Sequence, residues 1–137
     1  MALEWDKQVE TGIPALDSQH QGILECINAF SEKCASGSAT TEEVLKLVEF
    51  MDSYARKHFS YEESLQQYNQ YPGLNAQKEQ HKVFLDEVAE LKNTLELSGP
   101  TKDLAIMMKG KLIRWFIQHI KHMDARFSEF LKNKTSF

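Results

Sequence analysis

The sequence predicts an all-α protein, an antiparallel up-down-up-down four-helix bundle with an irregular N-terminal arm. Apolar residues recur at intervals of three or four in four long segments, which is the period of amphipathic helices. The breaks between these segments are short and rich in turn formers, as in SGSAT, QQYNQYPG and LSGP. Helices of about 20 residues with short connections pack as antiparallel neighbours, and no alternating strand pattern competes with this fold.

Length and composition predict one soluble domain spanning residues 1–137. The net charge is −4 and the lysines are scattered, which argues against nucleic acid or an anionic membrane surface as a partner. No secretory signal or apolar run of membrane-spanning length is evident, so a cytoplasmic protein is expected. The scarcity of apolar surface patches predicts a monomer. Cys26 and Cys34 are too far apart on one helix to form a disulfide and are expected to be reduced.

The irregular arm is predicted over residues 1–16, with Trp5 and Ile13 anchoring it to the bundle. The first helix is predicted at about 17–36, with Asp17 as its N-cap. Its apolar stripe consists of Leu16, His20, Ile23, Leu24, Ile27, Phe30 and Cys34.

The second helix is predicted at about 41–66, because Thr40 and Glu43 have the spacing of a capping box. Its stripe consists of Val44, Leu47, Val48, Met51, Tyr54, Ala55, His58, Phe59, Glu62 and Leu65.

The third helix is predicted at about 73–97 and ends where Gly99 and Pro100 cannot continue it. Its stripe consists of Leu74, Gln77, His81, Phe84, Leu85, Val88, Leu91 and Leu95. The fourth helix is predicted at about 101–131. Its stripe consists of Leu104, Met108, Leu112, Trp115, Phe116, His119, Met123, Phe127 and Phe130.

Polar residues interrupt these stripes at positions where the helical period requires core residues. They are His20, His58, Glu62, His81 and His119. A single histidine on an apolar face is more often a hydrogen-bonded core residue than a ligand. Four histidines and a glutamate would need separate partners in the core, because buried ionisable groups are costly unless they are paired or bound to metal. The set therefore favours a metal site, and the spacing of four between His58 and Glu62 puts both on one helix face.

Two acidic residues near this set are not placed by periodicity. Asp124 follows His119 by five residues, which is about 140° around an ideal helix. Glu63 is about 100° around from Glu62 and is expected to be a solvated neighbour.

The chain resembles the hemerythrin family, and specifically its single-domain bacterial members, over nearly its whole length. The resemblance rests on TGIPALDSQH, which ends at His20, on HFSYEE at 58–63, on YPG at 71–73 and on HIKHMD at 119–124. It implies a four-helix bundle that binds dioxygen reversibly at two iron ions, ferrous or ferric, joined by an oxo or hydroxo bridge.

The resemblance also implies a role for each polar residue of the stripes. His20 and His58 would be ligands of the iron with an open coordination position, and His81 and His119 would be ligands of the other iron. Glu62 and Asp124 would be the two bridging carboxylates.

Gln77 is the departure from the family pattern, which has a histidine four residues before His81. As a candidate metal-site residue, Gln77 would supply its amide oxygen, admit a water or leave the position empty. The remaining histidine, His122, lies on another helix and is expected to have a surface or supporting role.

The resemblance further implies that five apolar residues line an oxygen pocket, although any bundle core has similar residues. They are Ile23, Phe59, Trp115, Phe116 and Ile120. The predicted function is a carrier, store or sensor of dioxygen and not an enzyme. The alternatives are a di-iron oxidase or peroxidase, a nitric-oxide-reactive site opened by Gln77, iron handling, or a structural bundle with little iron.

Overall fold

The computed structural model of the protein describes residues 11–135, and this part of the chain is helical without strands. The helices are α1 (Pro14–Ala35), α2 (Thr41–Tyr68), α3 (Leu74–Ser98), α4 (Lys102–His119) and α5 (Ala125–Thr135). A π-helical turn, Ile120–Asp124, joins α4 to α5, so these three segments form the predicted fourth helix. The predicted all-α four-helix bundle is confirmed. No helix within the described range combines the length and the apolar character needed to cross a membrane.

The first helix begins at Pro14, three residues earlier than predicted, and Ile13 rather than Asp17 is its N-cap. Proline suits the first position of a helix because its φ is already helical and its missing N–H has no partner there. Asp17 instead accepts hydrogen bonds from the backbone N–H and hydroxyl of Thr11, both at 2.8 Å. Residues 14–16 of the predicted arm thus belong to α1. Trp5 lies outside the described residues.

The ends of the other helices follow the sequence signals closely. Thr40 and Glu43 form the predicted capping box, in which the Thr40 hydroxyl accepts from the Glu43 N–H at 3.1 Å. Helix α3 ends at Gly99, whose φ of 73° favours glycine. Thr101 caps α4 by accepting the Leu104 N–H at 3.1 Å.

The helices pack as a ring in which α1 contacts α2 and α4, and α3 contacts the same two helices. Polar contacts fix the direction of the first pair. Lys33 and Glu43 pair at 3.3 Å near one end, and Gln19 and His58 contact at 2.6 Å nearer the other. Residues advance along α1 as they go back along α2, so these helices are antiparallel.

The core consists of apolar residues from all four predicted stripes. Its largest completely buried side chains include Phe30, Phe84, Phe116, Leu16, Ile23, Ile27, Met51, Leu91 and Leu112. Cys26 and Cys34 are buried and not bonded to each other, as predicted. One prediction was wrong at the end of α2, where Leu65 is half-buried and Gln66 is completely buried. Steps of four from His58 through Glu62 keep Gln66 on the inward face.

Gly22 lets α1 approach the Tyr54 ring of α2. A Cβ atom at residue 22 would lie 2.1 Å from the Tyr54 hydroxyl oxygen and 2.4 Å from Cζ. We expect Gly22→Ala to lower the free energy of unfolding by about 1–3 kcal/mol, because the ring must move. Urea denaturation measures the effect.

Gly110→Ala in α4 is the matched control, since nothing lies within 4 Å of its Cβ position. Removing a helical glycine there should stabilise the protein by roughly 0.5–1 kcal/mol. Equal changes in the free energy of unfolding for the two variants would contradict the close approach of Tyr54 to Gly22.

Candidate metal centre

Six ionisable side chains from all four sides of the bundle meet in its interior. Each has at most 3% of its surface exposed. They are His20 from α1, His58 and Glu62 from α2, His81 from α3, His119 from α4 and Asp124 from the π-helical turn. The structure therefore brings together the six residues, other than Gln77, that the family resemblance implies as ligands.

The ligand atoms form two overlapping groups of three. In each group, one possible ligand atom from every residue lies within 4.8 Å of the others. The first group is His20, His58 and Glu62, and the second is Glu62, His81 and His119. Because Glu62 belongs to both, the groups describe two adjacent cation positions that share one carboxylate.

The two oxygens of Glu62 face different histidines. Oε2 lies 3.7 Å from Nε2 of His58 and 3.9 Å from Nε2 of His20. Oε1 lies 3.1 Å from Nε2 of His81 and 3.9 Å from Nε2 of His119. Glu62 therefore lies between one pair of imidazoles and the other.

Asp124 repeats this arrangement from the opposite side of the bundle. Its Oδ2 is 3.1 Å from Nε2 of His20, and its Oδ1 is 3.2 Å from Nε2 of His119. Each carboxylate thus offers one oxygen to each pair of imidazoles. This is the disposition that two carboxylates need to bridge two metal ions.

The π-helical turn explains why Asp124 faces inward. The N–H of Ala125 bonds to the carbonyl of Ile120, five residues earlier. A turn closed by bonds between residues five apart brings such residues nearly above one another, unlike an α-helix. Asp124 therefore lies on the same face as His119, which α-helical periodicity alone does not predict.

Two imidazoles are oriented by hydrogen bonds from their outer nitrogens. Nδ1 of His58 lies 2.6 Å from Oε1 of Gln19, and Nδ1 of His81 lies 2.7 Å from Oε2 of Glu63. Because these oxygens only accept, each Nδ1 carries the proton, and a neutral ring leaves its Nε2 lone pair facing Glu62.

Glu63 therefore lies beside the centre rather than bridging it, as expected, but it is half-buried and hydrogen-bonded rather than solvated. The role of Gln19 was not predicted. Metal-bound histidines usually donate their second N–H to a carboxylate or carbonyl oxygen. That rule could have suggested a search for such partners. The sequence offers no pattern that joins Gln19 to His58, which is 39 positions away.

Unpaired buried acceptors provide a direct test of whether metal ions fit. Nε2 of His81 lies 3.1 Å from Oε1 of Glu62, so the two atoms are close enough to be ligands of one cation. Other buried atoms of the centre have no hydrogen-bond partner, including Nε2 of His20 and His58, Oε2 of Glu62 and Oδ2 of Asp124. Cations between them would satisfy these atoms. Imidazole nitrogen and carboxylate oxygen together suit iron, so the residues fit two such ions.

Gln77 is completely buried beside these ligands. Its Nε2 donates to Oδ1 of Asp124 at 3.1 Å, while its Oε1 has no partner. A carboxylate only accepts hydrogen bonds, so the contact fixes which end of the amide faces Asp124. His122 is exposed, in agreement with its expected surface position.

Aromatic rings surround the imidazoles on both sides of the centre. Phe116 meets His20 edge to face at 5.4 Å. Phe59 stacks on His81 at 4.0 Å, and the half-buried Trp115 stacks on His119 at 4.8 Å. The remaining predicted pocket residues, Ile23 and Ile120, are buried in the same core. These aromatic rings thus cover imidazoles from both pairs of histidines.

Burial and charge give the histidines different pKa values. Burial, reinforced by neighbouring His20, holds the pKa of His58 well below its usual value. Burial also acts to lower the pKa of His119, but Asp124 and Glu62 outweigh it and raise that pKa to about 9. Burial acts to raise the pKa of Asp124, and the opposing charge of His119 holds it well below its usual range. His119 and Asp124 are thus a charged pair in the metal-free protein at neutral pH.

Metal binding near neutral pH should therefore release a proton from His119. The pKa of this residue in the metal-free protein is about 9, above the ordinary 6.5, so its imidazole is protonated until the pH exceeds about 9. A metal ion binds only the neutral ring. Titration calorimetry at about pH 7, in buffers with different ionisation enthalpies, should show this release, and the number of protons released should be smaller by about one near pH 10. Buffer-independent enthalpies at about pH 7 would contradict the charged pair.

Comparison with known proteins agrees with this geometry. The family described as Hemerythrin HHE cation binding domain matches residues 11–131. A bacteriohemerythrin of Pseudomonas paraeruginosa is 28% identical over 134 residues, covering 98% of this chain and 84% of that protein. A myohemerythrin of Sipunculus nudus is 28% identical over 125 residues, covering 90% of this chain and 88% of that protein.

Solved structures show the same fold. A crystal structure of a hemerythrin point mutant matches with a TM-score of 0.78 at 23% identity, covering 94% of this chain and 97% of that one. This likeness concerns the fold alone, and the family match concerns nearly all of the described sequence. The chain belongs to the hemerythrin family.

Proposed function

We propose that this protein is a non-haem di-iron protein that binds dioxygen reversibly, as a carrier, store or sensor. The observation that carries the proposal is that Glu62 and Asp124 each turn one oxygen to each pair of imidazoles. In the proposed centre, His20 and His58 would hold one iron, His81 and His119 would hold the other, and Glu62 and Asp124 would be shared between them. Hemerythrins are oxygen-binding proteins rather than enzymes, which agrees with a binding role.

The protein's own residues would position the iron pair and keep it dry. When bound, the iron pair supplies the coordination position and the electrons for dioxygen. Gln19 and Glu63 hold the rings of His58 and His81 in the tautomer that offers Nε2. Phe116 packs against His20 and excludes water from that side of the centre.

Gln77 distinguishes this centre from one in which a third imidazole serves the second iron. Its side-chain amide donates a hydrogen bond to Asp124, so only His81 and His119 supply imidazole to that ion. This single difference favours a second candidate function, in which a less protected iron reduces peroxide to water with electrons from an external reducing substrate, as a di-iron peroxidase.

Oxygen binding by the iron-loaded, reduced protein separates the two functions. A reversible binder should develop an absorption band under oxygen, lose it under argon and regain most of it over several cycles. His119→Ala should abolish the band, whereas His122→Ala, which changes an exposed histidine three residues away, should leave it intact. Irreversible loss of the band, with added peroxide and a reducing substrate consumed over many turnovers, would overturn reversible binding in favour of the peroxidase.

A further inference from the structure

Gln66 is a completely buried amide with no hydrogen bond to its side chain. Both Oε1 and Nε2 lack partners among the described residues. A buried amide without hydrogen bonds is costly, so such groups usually have an ordered water or another ligand. Gln66 follows Glu62 by four residues on α2, so it projects from the same helix face one turn further along.

The register of α2 and α3 places Gln66 opposite Gln77. Phe59 faces Phe84 with ring centroids 5.7 Å apart, and Glu62 faces His81 at 3.1 Å. These helices are antiparallel, so each step forward on α2 corresponds to a step back on α3. Four residues beyond Glu62 and four before His81, the paired positions are 66 and 77.

Three unpaired polar atoms therefore lie at one level of the bundle, beside the imidazole pair of His81 and His119. They are Oε1 and Nε2 of Gln66 and Oε1 of Gln77. The Nε2 of Gln77 is already engaged by Asp124, so these atoms need a partner that both donates and accepts. A single water meets that requirement, because buried waters typically make about three hydrogen bonds to such groups.

We propose that Gln66 and Gln77 hold an exchangeable solvent ligand on the second iron, at the position that an imidazole at residue 77 would fill. The inference rests on the proposed di-iron centre and adds a second small-ligand site to it. The ligand is water in the resting protein. A small anion replaces it less favourably, because the anion accepts from Nε2 of Gln66 but cannot donate to the two Oε1 atoms. The amide of Gln66 donates to that ligand, and the two glutamines act as one pocket.

Azide titration of the diferric protein tests the number of exchangeable positions. After metal analysis confirms two irons per chain, absorbance and calorimetry should show two azide ions bound, the second more weakly. Gln77→His should bind only one. Gln66→Met, which keeps the length of the side chain without its amide, should weaken the second azide roughly tenfold and leave the first unchanged.

Gln67→Met is the matched control, because Gln67 is the adjacent glutamine and is exposed. It should behave like the unsubstituted protein. One azide per iron pair, with no difference between Gln66→Met and the control, would overturn the second exchangeable position and leave the proposed function standing. Failure to bind two irons would overturn the proposed function and this site with it.

The metal-free protein offers a readout that does not depend on iron. Nuclear Overhauser effects should connect a long-lived water to the side-chain amide protons of Gln66 and Gln77. In Gln66→Met the effect at Gln77 should be lost. Amide protons of Gln77 that contact no water, or that keep the same water in Gln66→Met, would overturn the shared pocket.

Discussion

Glu62→Gln is expected to reduce the iron content from about two ions per chain to well below one. Glu62 is completely buried and belongs to both groups of possible ligands. The substitution keeps the volume of the side chain but removes its negative charge and one of the two oxygens that face the imidazoles. Since loss of a supporting hydrogen bond alone weakens metal binding by about 10–100-fold, loss of the shared ligand should exceed that range.

Glu79→Gln is the matched control, because it makes the same chemical change at an exposed position of α3. Metal analysis after gel filtration should give about two irons for the control. Circular dichroism should show that both metal-free variants remain helical. A Glu62→Gln protein that retains both irons would refute the assignment of Glu62 as the shared carboxylate.

Phe116→Leu is expected to hasten oxidation of the oxygenated protein to the ferric state roughly tenfold. Phe116 is completely buried and meets the His20 ring at 5.4 Å. A smaller side chain leaves a cavity beside His20 and admits water. Water promotes the loss of bound oxygen as superoxide or peroxide, which leaves ferric iron. The rate is followed by the decay of the oxygenated absorption band in air.

Phe30→Leu is the matched control. It distinguishes faster oxidation caused by water reaching the centre from faster oxidation caused by lower stability. Phe30 is also completely buried, but it lies on α1 nearer the Lys33–Glu43 end of the bundle. Both substitutions should lower the free energy of unfolding by about 1–2 kcal/mol. Equal oxidation rates for the two variants would show that Phe116 does not protect the iron pair.

The fold could be predicted from the sequence because the apolar period persists through each long helix. The helix ends were predicted where a specific signal exists, such as the Thr40–Glu43 capping box and the glycine after α3. The start of α1 was misplaced because Asp17 has the chemistry of a cap. The structure uses its carboxylate to bind Thr11, while Pro14 begins the helix.

The candidate site could be predicted as far as its residues follow α-helical spacing. His58, Glu62 and His81 lie on predicted inward faces, and the structure places them together. Asp124 faces inward because of the π-helical turn, and the spacing of residues does not predict that turn. The family resemblance, rather than periodicity, placed it at the centre.

Contacts between helices explain the remaining differences between the predicted site and the observed one. Gln19 and Glu63 reach the outer nitrogens of histidines on other helices, so their roles depend on packing rather than on position in their own helix. The apolar stripe of α2 does not predict a buried Gln66, because Leu65 is the more apolar neighbour. The α2–α3 register places Gln66 opposite Gln77, and this position gives the buried Gln66 amide its proposed role.

Anomalous diffraction from crystals of the iron-loaded protein tests the central claim most directly. At the iron absorption edge, we expect two peaks per chain. One should lie at the Nε2 atoms of His20 and His58, the other at those of His81 and His119, and Glu62 and Asp124 should contact both. A single peak, or two peaks that do not share these carboxylates, would contradict the bridged pair.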